Sequence, residues 1–144
     1  MLQGNPRDRR TIIMGCDSVG VAIATAVSDQ GTKVHVIDSH RDAFELLPPG
    51  KIADEMIIPI EGDGTRQDDL RKASIADARV FIALTHSDPR NALAAQLAKH
   101  IFQVPTVICR IDNPVAQEVY NRLGMTAISA TSLVTDMALE AAIE

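Results

Sequence analysis

Three observations predict an α/β fold built on a doubly wound parallel sheet. Short β-branched runs alternate with longer stretches of helical periodicity along the chain. Apolar residues make up 46% of the 144 residues while aromatics make up only 3%, with no Trp. The core must therefore be Ile, Val, Leu and Ala, as in sheets buried on both faces. Third, a glycine-containing turn joins the first strand to the first helix, and the second strand ends in an acidic residue.

The elements follow in order. Strands are expected over 11–14, 33–37, 55–59, 80–84, 106–109 and 126–128. Helices are expected over 18–30, 41–47, 67–72, 89–101, 114–123 and 132–143. Gly31 is placed to cap the first helix, and Pro48-Pro49-Gly50 to end the second. Gly62-Asp63-Gly64 reads as a tight turn after the third strand. Pro89 and Pro114 sit at helix starts, where the missing N–H costs nothing, with Asp88 and Asn113 as the capping residues before them. The last helix carries Leu133, Val134, Met137, Leu139, Ala141 and Ile143 on more than one face, so it can dock on its own sheet or on a partner.

Composition bounds the function classes. A chain of this length is one domain. The organisation expected is a lead-in over 1–10, a nucleotide-binding domain over 11–130 and a terminal helix over 131–144. The formal charge of -5 disfavours nonspecific nucleic-acid binding. Cys16 and Cys109 are the only cysteines, too few for a metal site and poorly placed for a disulfide. No apolar run approaches the ~20 residues of a membrane span, and the polar stretch Gln3 to Arg10 is not a signal peptide. Cytoplasmic residence is the natural expectation.

The glycine turn reads Gly15-Cys16-Asp17-Ser18-Val19-Gly20, between a β-branched strand and a helical run. Gly15 permits the tight turn out of the strand, and Gly20 permits close packing of helix against sheet. The helix N-terminus offers N–H groups to a phosphate. Asp38, ending the second strand, suits a ribose hydroxyl. Strand, glycine turn, helix, strand and acid in that order make a Rossmann-like nucleotide site. Asp17 stands where the middle glycine of Gly-x-Gly-x-x-Gly belongs. It either caps the helix in a site that has lost nucleotide affinity, or selects a ligand that binds shifted or lacks a pyrophosphate there.

Other candidates lie on the same sheet edge. Asp63 in Glu61-Gly62-Asp63-Gly64-Thr65 faces an adenine or ribose, or is a turn residue. Thr85, after the fourth strand, can line the crevice, and His86 is read as an exposed histidine. Arg110 is the one cation expected on the crevice edge, pairing a phosphate or Asp38, or else forming a surface salt bridge with Asp112 or Glu118. No catalytic constellation and no metal-ligand spacing is evident.

These residues resemble the regulator-of-potassium-conductance (RCK) or TrkA-N (KTN) family. The similar stretches are the glycine turn, Val34-His35-Val36-Ile37-Asp38, Gly62-Asp63-Gly64-Thr65, and the run Leu70 to Ala78. They continue through Ala83-Leu84-Thr85 with Asp88 and Asn91, then Arg110 with Asn113-Pro114. The resemblance implies a nonenzymatic regulatory domain that binds an adenine nucleotide (NAD or NADH, ATP or ADP, or AMP) and gates a potassium channel or transporter. It implies a homodimer or higher ring whose terminal helix crosses to the partner, on the cytoplasmic face of the plasma membrane. The nucleotide site it implies comprises Gly15, Cys16, Asp17, Ser18, Val19, Gly20, Asp38, Ser39, Asp63, Gly64, Thr85 and Arg110.

Two departures stand out. The family's loop commonly reads Gly-x-Gly-Arg-x-Gly, so Asp17 and Ser18 replace a glycine and a phosphate-binding arginine. The family's C-terminal regulatory domain is not among the 144 residues. Either the sequence is a piece of a longer protein or a separate RCK C-terminal-domain protein supplies it. The competing expectations are an NAD(P)-dependent oxidoreductase fragment and a Rossmann assembly domain without nucleotide binding.

Overall fold

The computed structural model describes residues 10–143. Residues 1–9 of the lead-in expected over 1–10, and residue 144, lie outside the described residues. Arg10 is not part of a lead-in: it opens β1 (Arg10–Met14), in register with Lys33. The elements then run α1 (Ser18–Asp29), β2 (Lys33–Asp38), a 3-10 helix (Arg41–Leu46), α2 (Pro49–Ala53) and β3 (Ile57–Glu61). They continue with α3 (Gln67–Lys72), a short 3-10 helix (Ile75–Asp77), β4 (Val80–Ala83), α4 (Asp88–Gln96) and a π-helical turn (Leu97–Ile101). The chain finishes with β5 (Thr106–Arg110), α5 (Pro114–Arg122), β6 (Thr126–Ile128) and α6 (Ala130–Ala142).

All six strands form one parallel sheet in the order β3-β2-β1-β4-β5-β6. The order runs outward from β1 in both directions, so the switch point lies between β1 and β4. Side chains alternate faces along each strand. Ile12, Met14, Ile37 and Phe81 join one core with Ala92, Ala94, Ala95 and Ala98 from α4 and the turn after it. Ile13, Val34, Val36, Ile57 and Ile82 join the other with Ala24 of α1. Helices α1 and α4 thus cover opposite faces, and the alanines let the α4 backbone approach the sheet closely.

Four local expectations are corrected. The 41–47 segment is a 3-10 helix, and Pro49 opens α2 instead of ending a helix. Leu47 is extended (ψ 144°), as a residue before proline prefers, while Pro49 suits a first helical turn. Glu55 takes a left-handed φ of 59°, so β3 begins at Ile57, two residues later than expected. Ser87, not Asp88, caps α4 through its Oγ. The Asp88 carboxylate instead accepts from the N–H groups of Asp112 and Asn113, each at 3.0 Å, and ties the loop after β5 to α4. Helix α6 starts at Ala130, because Ser129 Oγ accepts from Ser132 N at 3.0 Å and caps it there.

His35 in β2 is 6% exposed and its Nδ1 has no hydrogen-bond partner. Burial, reinforced by the charges of Arg10 and Lys33, lowers its pKa below the ordinary 6.5. A depressed folded-state pKa means that the unfolded chain binds the proton first as pH falls. Stability from neutral His35 is complete above pH 6.5 and is lost as pH drops through the folded value. Thermal melts of wild type should therefore fall as pH drops below 6.5, and His35→Val should flatten that slope. Asp63, Asp69 and Asp112, all held below 3.8, act only at lower pH. Equal slopes in both proteins would contradict the assignment.

Candidate nucleotide site at the switch point

A cavity of about 360 Å³ opens at the C-terminal edge of the sheet, where the loops after β1, β2, β3 and β4 converge. Met14, Ile37, Ala43 and Leu84 form its apolar walls, and Asp17, Asp38, Ser39, His40, Thr85, His86 and Arg90 its polar ones. An apolar cleft with a few convergent polar groups at a switch point is the usual form of a small-molecule site.

Two glycines make the cleft possible. Gly15 adopts a φ of +109° and brings the turn to 3.2 Å, measured from an added Cβ, of the Leu84 and Thr85 backbone. A Cβ on Gly20 would collide with the Gly15 carbonyl oxygen, a backbone atom that cannot yield without moving the turn. Overpacking of that kind costs about 1–3 kcal/mol.

Asp38 is fixed by the main chain around it. Its Oδ2 accepts from Cys16 N and its Oδ1 from His40 N, each at 2.8 Å. The carboxylate therefore bridges the loops after β1 and β2 at the cavity rim. Cys16 lies beneath it, donating its thiol to Ala43 O at 3.4 Å. Burial, with Asp38 and Asp17 adding to it, pushes the Cys16 thiol up to about 11. It is a protonated wall residue, not a nucleophile.

Asp17 caps α1. Its Oδ1 accepts from Val19 N at 3.1 Å and Gly20 N at 3.0 Å, an arrangement worth about 1 kcal/mol. His86 is exposed, as expected, with its side chain 75% accessible, and its Nε2 lies 3.2 Å from the second oxygen.

Across the switch point, Asn91 is fully buried and fully satisfied. Its Oδ1 accepts from Thr85 N and Thr85 Oγ1, and its Nδ2 donates to Thr85 O and Arg110 O. It locks the loop after β4 to the end of β5. Arg110 turns its guanidinium onto Asp112, with Nη2 at 3.0 Å, and Nη1 lies 3.5 Å from His86 Nδ1. That hydrogen bond, outweighing burial, holds the Asp112 carboxyl below the usual range. Asp112 Oδ1 also accepts from Ala130 N at 2.9 Å, in the first turn of α6. A continuous series of polar contacts thus joins the glycine turn to α6.

The structure brings Gly15, Cys16, Asp17, Asp38, Ser39, Gly64 and Thr85 together around the cavity. Ser18, Val19, Gly20, Asp63 and Arg110 do not line it. The Val19 and Gly20 N–H groups are spent on Asp17, and Arg110 takes the salt bridge to Asp112 rather than Asp38. Asp63 accepts from Thr65 N and Oγ1 and pairs with Arg90 at 2.7 Å. Burial opposes its charge, but Thr65 and Arg90 outweigh that and keep its pKa low. His40, Ala43 and Arg90 line the cavity although the sequence does not single them out, and Gly62 joins them from the turn after β3. The cap at Ser87 was the available signal for Arg90, since it puts the first turn of α4 on this edge.

Among the described residues, no helix is long and apolar enough to cross a membrane. The Trk system potassium uptake protein TrkA of Streptomyces coelicolor is 37% identical over 128 residues, covering 89% of this chain and 56% of that protein. The chain spans about half the length of four of the curated relatives it matches and 21% of two others. Two solved structures share the fold. The TrkA-N domain of inner membrane protein ybaL from Escherichia coli superposes with a TM-score of 0.79 at 12% identity, covering 94% of this chain and 97% of that one. The GsuK channel bound to NAD superposes with a TM-score of 0.66 at 21% identity, covering 84% of this chain and 21% of that one. The family model for the TrkA-N domain matches residues 11–131, and the chain belongs to that family.

Proposed function

We propose that this chain is a nonenzymatic, adenine-nucleotide-binding regulatory lobe of a potassium channel or transporter. The observation that carries the reading is Asp38, held by two backbone N–H groups at the rim of the switch-point cavity. A carboxylate so fixed accepts hydrogen bonds from adjacent ribose hydroxyls without reorganising. Ser39 stands beside it, the Gly15–Cys16 main chain passes below, and Thr85 closes the opposite wall. Family membership supports the reading, as do a potassium-uptake relative and an NAD-bound channel of the same fold.

Ligand occupancy reaches the rest of the molecule through the series Asp17, His86, Arg110, Asp112 and Ala130. A ligand that binds one arrangement of these contacts more tightly shifts its population and moves the start of α6. Helix α6 has no buried residue, and Leu133, Val134, Met137, Leu139 and Ile143 are exposed. In this reading α6 crosses to a second copy in a homodimer or larger ring. That assembly acts on a membrane-embedded potassium-conducting subunit from the cytoplasmic face.

Two outcomes follow. In a thermal-shift panel of AMP, ADP, ATP, NAD and NADH, at least one ligand should raise the melting temperature by roughly 5–10 °C at a hundredfold excess over its dissociation constant. Asp38→Ala should lose that gain relative to its own ligand-free melt. No shift with any of them would favour an assembly domain without a ligand. For α6, sedimentation should give a dimer or larger for wild type. The Val134→Glu/Met137→Glu variant should give a monomer with unchanged circular dichroism, since the two side chains are 68% and 69% exposed. An unchanged mass would exclude α6 from the interface.

A further inference from the structure

Resting on the adenine-nucleotide reading, we infer that Asp17 sets the phosphate preference of this site. It excludes a diphosphate from the glycine turn and leaves the pocket selective for an adenosine monophosphate or unphosphorylated adenosine.

The start of a helix normally offers a phosphate two things, free N–H donors and the positive end of the dipole. Here both are reduced. Asp17 Oδ1 consumes the Val19 and Gly20 N–H groups, and its negative charge neutralises the dipole end. The second oxygen is engaged by His86 Nε2 at 3.2 Å, which links the glycine turn to the loop after β4. The Asp17 backbone is extended, with φ -95° and ψ -169°, so the residue holds this position without strain. A diphosphate laid along the turn would displace the cap, break the His86 contact and face a carboxylate at close range.

The rest of the pocket tolerates a smaller ligand. The Asp38 carboxylate is fixed at the rim independently of Asp17, so a ribose keeps its acceptor. The lining side chains able to carry positive charge are His40, His86 and Arg90, and the last two stand after β4. A single phosphate extending from the ribose therefore finds its partners on the α4 side of the cleft. Arg90 already shares its charge with Asp63, which limits how many phosphate charges that side can neutralise.

Calorimetric titration of wild type, Asp17→Asn and Asp17→Gly with adenosine, AMP and ADP at one ionic strength tests the inference. Glycine is an accepted capping residue, and adenosine binding with circular dichroism reports that each variant is folded. Wild type should bind AMP at least ~10-fold more tightly than ADP, the scale of one like-charge contact near a surface. Asp17→Gly should gain at least ~10-fold for ADP with adenosine little changed, and Asp17→Asn, which keeps a capping oxygen without the charge, should fall between. Equal AMP and ADP affinities in wild type, unchanged in Asp17→Gly, would overturn the inference and leave the nucleotide reading intact. A wild type blind to all three ligands beside an Asp17→Gly that binds ADP would overturn the inferred selectivity for a monophosphate and sink the sensor reading with it. Absence of binding in every protein would overturn the inference, because Asp17 would not be what excludes the ligand.

Discussion

The site exists because the sheet winds outward from β1 in two directions. Helix α1 leaves β1 to pack on one face, with Ala24 against Val34, Val36 and Ile57. Helix α4 leaves β4 to pack on the other, over β4 and β5, its alanines in one core with Ile12, Ile37 and Phe81. Two neighbouring strands whose chains depart to opposite faces must leave a cleft between their ends. The approach of Gly20 to the Gly15 carbonyl and the positive φ of Gly15 keep that cleft narrow and lined by backbone. Every proposed ligand contact is placed by this geometry.

Charge then decides what the cleft can hold. Asp38 and Asp17 both carry carboxylates on the β1 side, yet they serve different ends. Asp38 faces the rim with backbone donors behind it, poised for neutral hydroxyls. Asp17 turns onto the helix end that would otherwise serve an anion. The contacts beyond Asp17 run through His86 and Arg110 to Asp112, which holds the first turn of α6. A change at the glycine turn therefore has a physical route to the most exposed apolar element. Each link is partly solvated, so each contributes little alone, and the effect depends on a shift of the whole set.

Much of the fold was legible because parallel α/β units carry local signals. β-Branched runs ended by Gly, Pro or Asp located all six strands to within about two residues. The segment between β2 and β3 was misread because Pro48-Pro49-Gly50 looks like a terminator, whereas Pro49 starts a turn of helix. Their places at the C-terminal ends of β1, β2 and β4 made Gly15, Asp17, Asp38 and Thr85 visible as one edge. Pairings across the chain were not visible. Arg90 with Asp63 and Asp88 with the loop after β5 depend on side-chain reach across separate loops, which no periodicity encodes. The Arg110 pairing with Asp112, two residues away, stands instead among the alternatives the sequence offers.

The central claim is that a nucleotide seats on the Asp38 carboxylate between the glycine turn and Thr85. Backbone amide shifts recorded by NMR during an AMP titration test it most directly, because Cys16 and His40 donate their N–H groups to that carboxylate. The account predicts saturable shifts concentrated at Gly15, Cys16, His40 and Thr85, with α5 undisturbed. Shifts confined to other surfaces, or none at millimolar AMP, would contradict it.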